Sequence, residues 1–149
     1  MGSTSDLEVM SAAFAVLDQF GVPYEKKVIS AHRAPYLLAQ WAGSARERGL
    51  DVIIAGAGGA AHLAGVTAAY TTLPVIGVPI CGKAFGGMDA LLATVQMPSG
   101  IPVATVAVNG SKNAALLALS ILSVSDASIT EKLDEFRRKQ TEAIVNTEI

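Results

Sequence analysis

Apolar positions switch between two periods along the chain. Leu7, Met10, Phe14 and Leu17 recur at helical spacing. They predict a helix opened by Ser5-Asp6-Leu7-Glu8 as a capping box and closed at Gly21, with Pro23 preventing its continuation. Tyr24 to Ile29 reads as a strand. Pro35 suits an early helical position, and Leu37, Leu38, Trp41 and Ala45 mark the buried face of a helix that Gly49 ends. Asp51 to Ala55 is a nearly continuous apolar strand, as expected where both faces of a sheet are covered. Ala60 to Ala69 reads as a helix, and Leu73 to Val78 as a buried strand held between Pro74 and Pro79. Lys83 to Gly87 is a glycine-rich loop and Met88 to Val95 a short helix. Pro98-Ser99-Gly100 turns the chain into a strand from Pro102 to Val108. After the turn at Asn109-Gly110, Ser111 or Asn113 starts a helix running to Ser123. Ser125-Asp126 breaks that pattern, and Ala127 to Asn146 forms a last amphipathic helix.

Strand and helix alternate throughout, which predicts an α/β fold. The expected architecture is a three-layer α/β/α, flavodoxin-like parallel sheet with a long C-terminal helix, in one domain spanning residues 1–149. One element is missing from this pattern. Gly2 to Asp6 looks like a strand-to-helix loop, yet only Met1 precedes it. A strand at that place would be central in the flavodoxin-like order, and without it both neighbours keep orphan ladder groups. The expectation is that the natural chain begins a few residues upstream, or that another segment fills the slot.

Composition narrows the function classes. The chain is 51% hydrophobic and 16% charged, with a mean hydropathy of +0.44. It is more apolar than an average globular domain, so either it is buried unusually well or much of its surface is covered by further copies of itself, which implies an oligomer. No long apolar run lacks Gly, Pro or a polar break, so no membrane span is expected. A net charge of −2 and the absence of a basic stripe argue against nucleic acid as the main partner. The single cysteine, Cys81, excludes an internal disulfide framework. No signal peptide is recognisable at the start, and the expected location is the cytoplasm.

Candidate chemistry gathers at predicted strand ends, the edge where open α/β sheets bind ligands. Ser30-Ala31-His32-Arg33 follows Val28-Ile29, and Gly56-Ala57-Gly58-Gly59-Ala60-Ala61-His62 follows Val52-Ile53-Ile54. These segments hold both histidines of the chain. An imidazole exchanges protons near neutral pH, and an arginine can grip phosphate or carboxylate through two parallel bonds. Ser30 adds a hydroxyl donor. The tetrapeptide reads equally as a plain capping loop with a solvated Arg33. The glycine run matches the G-x-G-x-x-A form of the dinucleotide fingerprint, but the acidic residue expected about 20 residues later is absent. What remains is backbone able to approach an anion at a helix start. A third strand-end loop offers Ser3 and Ser5 hydroxyls for phosphate and the Asp6 carboxylate for ribose hydroxyls; helix capping is the alternative. Lys83 to Asp89 could form a lid. Cys81 has no nearby partner pattern. No metal-ligand spacing and no G-x-S-x-G elbow is present.

Several blocks together resemble one family. They are Gly2-Ser3-Thr4-Ser5-Asp6, Ser30 to Arg33, Gly56 to Leu63, Gly77-Val78-Pro79, Val95 to Pro98, Gly100 to Thr105, and Asn113 to Ala118. The chain resembles the class I phosphoribosylaminoimidazole carboxylases, the N5-carboxyaminoimidazole ribonucleotide mutases of purine synthesis, from Gly2 to at least Leu122. The resemblance implies a three-layer subunit in an octamer, active sites at subunit junctions, and no metal, nucleotide or biotin cofactor. It implies a ribonucleotide substrate whose carboxylate moves from the exocyclic nitrogen to ring carbon 4. It makes His32 the general acid/base and Ser3, Asp6, Ser30 and Arg33 the ribose and phosphate contacts. It places Gly58, His62 and Leu63 in the loop over the reacting ring. Ala64 and Ala34 depart from the proline and threonine usual in the family at those places. Direct carboxylation by carbon dioxide and a non-catalytic nucleotide-binding domain are the alternative functions.

Overall fold

The computed structural model describes residues 1–148. It contains three parallel strands in the order β1 (Ile53–Gly58), β2 (Val75–Ile80) and β3 (Ala104–Thr105). The helices are α1 (Leu7–Phe20), α2 (Pro35–Gly43), α3 (Leu63–Ala69), α4 (Met88–Val95), α5 (Ser111–Leu122) and α6 (Ala127–Val145). The α/β, flavodoxin-like architecture expected from the strand–helix alternation is the one observed.

Strand alternation builds two apolar faces. Ile53, Ala55 and Val75 pack with Leu38, Leu63 and Leu73 on the side of α2 and α3. Ile76, Val78 and Ile80 pack with Met10, Ala114 and Ala118 on the side of α1 and α5. Beyond that layer Leu17, Phe20, Leu119, Ile129 and Leu133 lock α1, α5 and α6 together. Leu38, Ile76 and Leu119 are essentially inaccessible; each such side chain contributes about 1.5–3 kcal/mol through burial.

The helix starts follow side-chain chemistry, with one correction. Ser3, rather than Ser5, caps the N-terminal segment: its Oγ accepts the Ser5 N–H at 3.3 Å, and its own N–H donates to Asp6 Oδ2 at 2.9 Å. The capping box therefore lies two residues ahead of the predicted one, through a short 3₁₀ turn, Thr4–Asp6, that leads into α1. Gly21 closes α1 in the left-handed conformation at φ 68°, as the pattern predicts. Pro35 occupies the first turn of α2, and Asp126 caps α6 through the Ser128 N–H at 2.9 Å.

Strand boundaries moved more. β1 runs through Gly58, so Gly56, Ala57 and Gly58 belong to the strand and not to the loop. At Gly56 a Cβ would stand 2.4 Å from Met10 Sδ, so glycine there is what lets α1 lie close to the sheet. β2 runs past Pro79 to Ile80. In a parallel ladder the N–H and C=O of one residue face the same neighbour. Pro79 faces the β3 side, where its carbonyl accepts the Asn109 N–H at 2.8 Å. β3 has already ended there, so the missing proline N–H breaks no ladder bond. The ladder of β3 itself covers only Ala104 and Thr105 of the predicted 102–108.

Tyr24 to Ile29, expected as a strand, does not form one: it pairs with no other strand. Met1 and Gly2 provide one rung between this segment and β1. The Met1 amino group donates to the Lys27 carbonyl at 2.9 Å, Ile29 N–H donates to the Met1 carbonyl at 2.9 Å, and Gly2 N–H donates to the Gly56 carbonyl at 3.1 Å. Beyond that rung the walls enclose a cleft of about 140 Å³ lined by Met10, Phe14, Tyr24, Trp41, Val52 and Ile54. Burial beside this cleft pushes the Met1 amino group below its ordinary pKa, against the opposing pull of the Asp6 carboxylate.

Candidate active site

The carboxyl ends of the strands open into a second and larger pocket, of about 680 Å³. Each segment around it arrives for a local reason. The Met1–Gly2 rung delivers Ser3 and Asp6, and the reciprocal capping bonds hold them; Asp6 is buried although its neighbours Thr4 and Ser5 are exposed. The turn after Ile29 delivers Ser30, His32 and Arg33. Its Ala34 N–H closes on the Ser30 carbonyl at 2.9 Å, and Pro35 then starts α2. Ser30 Oγ accepts both the backbone N–H of Arg33, at 3.2 Å, and its Nε, at 3.3 Å. The guanidinium is thereby tethered by one edge, and its terminal nitrogens stay free for an anion.

The β1 end delivers the rest. Gly58 lies against β2 so closely that a Cβ would meet the Ile80 carbonyl oxygen at 3.0 Å. Gly59 at φ 61° and Ala61 at φ 40° then fold the chain back in the left-handed region, which glycine adopts freely and alanine only under strain. That tight reversal puts His62 immediately before α3.

The reversal brings the two histidines together. His32 Nε2 lies 2.7 Å from His62 Nδ1, and the rings stand edge to face at 86° with centroids 4.9 Å apart. One nitrogen of each ring is thus committed to a shared proton, the tautomer depending on which ring holds it. Nδ1 of His32 and Nε2 of His62 remain for a ligand. Both rings are exposed to the pocket opening, while the adjoining Leu63 is buried and anchors α3 in the core.

Ser3, Asp6, Ser30, His32, Arg33, Gly58, His62 and Leu63 all line this one pocket. Ile80, Cys81 and Gly82, for which the sequence predicts no role in the site, line it as well, together with Lys83, the first residue of the candidate lid. The predicted strand stops at Val78, before Pro79. With the strand carried to Ile80, the next three residues fall on the pocket wall. The signal available was the position just after an apolar run, the same signal that marked Ser30 and Gly58.

These features define an α/β protein with a polar, imidazole-bearing pocket at the carboxyl edge of a parallel sheet, the usual place for a small-molecule enzyme site. Comparison with known proteins narrows the class. The AIR carboxylase family matches residues 1–143, and the chain belongs to that family. The N5-carboxyaminoimidazole ribonucleotide mutase of Bacillus subtilis is 60% identical over 147 residues, covering 97% of this chain and 90% of that protein. The Pyrococcus abyssi protein of the same name is 64% identical over 137 residues, covering 92% and 79%. The phosphoribosylaminoimidazole carboxylase of Saccharomyces cerevisiae is 57% identical over 145 residues, which are 97% of this chain and 25% of that protein. Among solved structures, the crystal structure of Treponema denticola PurE superposes with a TM-score of 0.87 at 29% identity, covering 97% of this chain and 90% of that one.

Proposed function

We propose that the chain is an N5-carboxyaminoimidazole ribonucleotide mutase, one catalytic domain that moves a carboxylate from the exocyclic nitrogen of its substrate to ring carbon 4. The observation that carries the reading is the His32–His62 bond of 2.7 Å in the large polar pocket. It joins the family membership and the names of the relatives already given.

The chemistry needs one proton delivered and one removed. Protonating the carbamate nitrogen releases carbon dioxide and leaves an electron-rich aminoimidazole. Carbon 4 attacks the carbon dioxide, and a base then takes the carbon 4 proton. A hydrogen-bonded imidazole pair suits both steps. The pair begins as a cation: His32 holds a proton on Nδ1, and His62 holds one on Nε2 and another on Nδ1 that it donates to His32 Nε2. As His32 Nδ1 gives up its proton, the shared proton crosses to His32 Nε2, and both rings end neutral. The reverse movement accepts the proton from carbon 4, so the pair returns to its starting state. His32 is the catalytic acid/base, and His62 supplies the second half of the relay.

The remaining residues bind and enclose. Arg33, with Ser30 and Ser3, faces the phosphate, and Asp6 faces the ribose hydroxyls. Gly58 and the Gly59–Ala61 reversal let backbone lie flat against a planar ring. Leu63 gives an apolar wall that keeps carbon dioxide in place and water out. Holding both fragments makes recombination effectively unimolecular. Exposed Tyr36 (90%), Phe85 (81%), Met88 (53%) and Leu92 (50%) support a homo-oligomer; the family resemblance makes it an octamer, the biosynthetic role suits the cytoplasm, and light scattering that returned a monomer would oppose the assembly. The name of the yeast relative keeps direct carboxylation as the competing reading.

His32→Asn tests the role assigned to the pair. Turnover falls by about 10²–10⁴-fold, the usual contribution of a positioned acid/base, while the folded structure persists. Unchanged turnover would remove His32 from the mechanism.

A further inference from the structure

The wall formed by Cys81, Gly82 and Lys83 is held by a residue outside the pocket. Asn109 lies at φ 58°, a left-handed conformation that asparagine tolerates better than other side-chain-bearing residues. Its backbone N–H donates to the Pro79 carbonyl at 2.8 Å, and its side-chain Oδ1 accepts the Cys81 N–H at 2.9 Å. Those are the two bonds that one residue of a parallel neighbour makes to a strand: its N–H to the residue before, and its carbonyl from the residue after. Here the second acceptor is an amide side chain. The backbone carbonyl of Asn109 is already taken by the Ser111 N–H at 3.0 Å, where the chain turns into α5.

Asn109 therefore imitates a strand rung at a place where β3 has ended. It extends the order of β2 by one residue, from Ile80 to Cys81. Without that bond the Cys81 amide would be free, and Cys81, Gly82 and Lys83 would form an exposed glycine-containing loop without backbone support from a neighbouring strand among the described residues. Lys83 supplies the one ammonium on the pocket lining. Its reach over an anionic ligand depends on where Cys81 and Gly82 leave the sheet.

We propose that Asn109 is a positioning residue for substrate binding: by clamping the Cys81 amide it fixes the pocket wall and aims Lys83 at the anionic ribonucleotide. The proposal rests on the functional reading above, and its test separates the two. Asn109→Gly keeps the left-handed turn and the N–H to Pro79, and removes only the Oδ1 acceptor. Asn109→Asp keeps an acceptor and restores the bond. In Asn109→Gly the hydrogen exchange of the Cys81 amide speeds up at least tenfold, and KM for N5-carboxyaminoimidazole ribonucleotide rises about three- to tenfold with kcat within a factor of two. Asn109→Asp stays near wild type in both readouts. A merely structural role would lower the active fraction, and hence kcat, at unchanged KM. Unchanged Cys81 exchange, or KM unaltered in Asn109→Gly, overturns the proposal, as does an Asn109→Asp variant no better than glycine. Absence of turnover in the wild type would instead contradict the functional reading, while the exchange measurement still decides the clamp.

Discussion

Gly77→Ala is the perturbation whose size the packing sets most directly. Gly77 lies in the middle of β2, paired with Ala55 and Thr105. A Cβ there would stand 2.4 Å from Thr94 Cγ2, 3.0 Å from Val103 Cγ1 and 3.3 Å from Ala64 Cβ. The first contact is far inside van der Waals range, so α4 or the threonine must move. Thr94 is 2% exposed and its Oγ1 donates to the Ala90 carbonyl at 2.7 Å. Rotating the side chain to clear the methyl gives up that bond, about 1 kcal/mol, in addition to overpacking of about 1–3 kcal/mol. The lower entropy of an unfolded alanine returns about 0.4–1 kcal/mol. The net loss is about 1–3.6 kcal/mol. For a chain of this size that is a fall in Tm of about 2–4 °C per kcal/mol. Urea unfolding followed by circular dichroism measures it as a lower midpoint at constant slope. Thr94→Ser removes only the offending methyl and keeps the hydroxyl bond, so Gly77→Ala/Thr94→Ser recovers at least about 1 kcal/mol relative to additivity. A Gly77→Ala protein as stable as wild type, or a double variant showing simple additivity, would refute the packing argument.

Two further outcomes concern the pocket. His62→Asn removes one partner of the imidazole pair; losing that bond costs about 1.4 kcal/mol, so kcat falls about tenfold in single-turnover assays, and an unchanged kcat would sink the relay. Arg33→Ala deletes charge-assisted bonds to an anion worth about 1.5–3 kcal/mol; KM rises about 10- to 150-fold with kcat nearly constant, and an unaltered KM would contradict the phosphate role.

The legible parts of the sequence were those where one local force acts alone. Helical periodicity, Gly21 and Pro35 located α1 and the start of α2, because the helix ladder closes within a segment; α2 itself ends at Gly43, and the predicted stretch through Ala45 to Gly49 forms turns. Strands were harder, since their bonds lie between segments. Tyr24 to Ile29 has strand character, yet it pairs only at the Met1 rung and remains unassigned. Gly56 to Gly58 look like loop residues, but close approach by Met10 and Ile80 makes glycine the fitting strand residue there. The predicted strand stops before Pro79, yet the proline's place on the side β3 has vacated lets β2 run on to Ile80. The expectation that Ser5 caps was displaced by Ser3, whose partner Asp6 lies at the spacing that Ser5 and Glu8 also offered. In the pocket, residue types and strand-end positions were readable: Ser3, Asp6, Ser30, His32, Arg33, Gly58, His62 and Leu63 lie on one wall system. The pairing of the histidines was not. They are 30 positions apart, and only the Gly59–Ala61 reversal brings the rings into contact.

The central claim is that the carboxylate leaves the exocyclic nitrogen and returns to carbon 4 without leaving the pocket. The direct measurement uses N5-carboxyaminoimidazole ribonucleotide carrying carbon-13 in its carboxylate, turned over in a large excess of unlabelled bicarbonate, with the product analysed by mass spectrometry. The account predicts that most product retains the label and that the reaction proceeds without added bicarbonate. Product that carries bulk carbon dioxide, with turnover strictly dependent on bicarbonate, would contradict the mutase and identify a direct carboxylase.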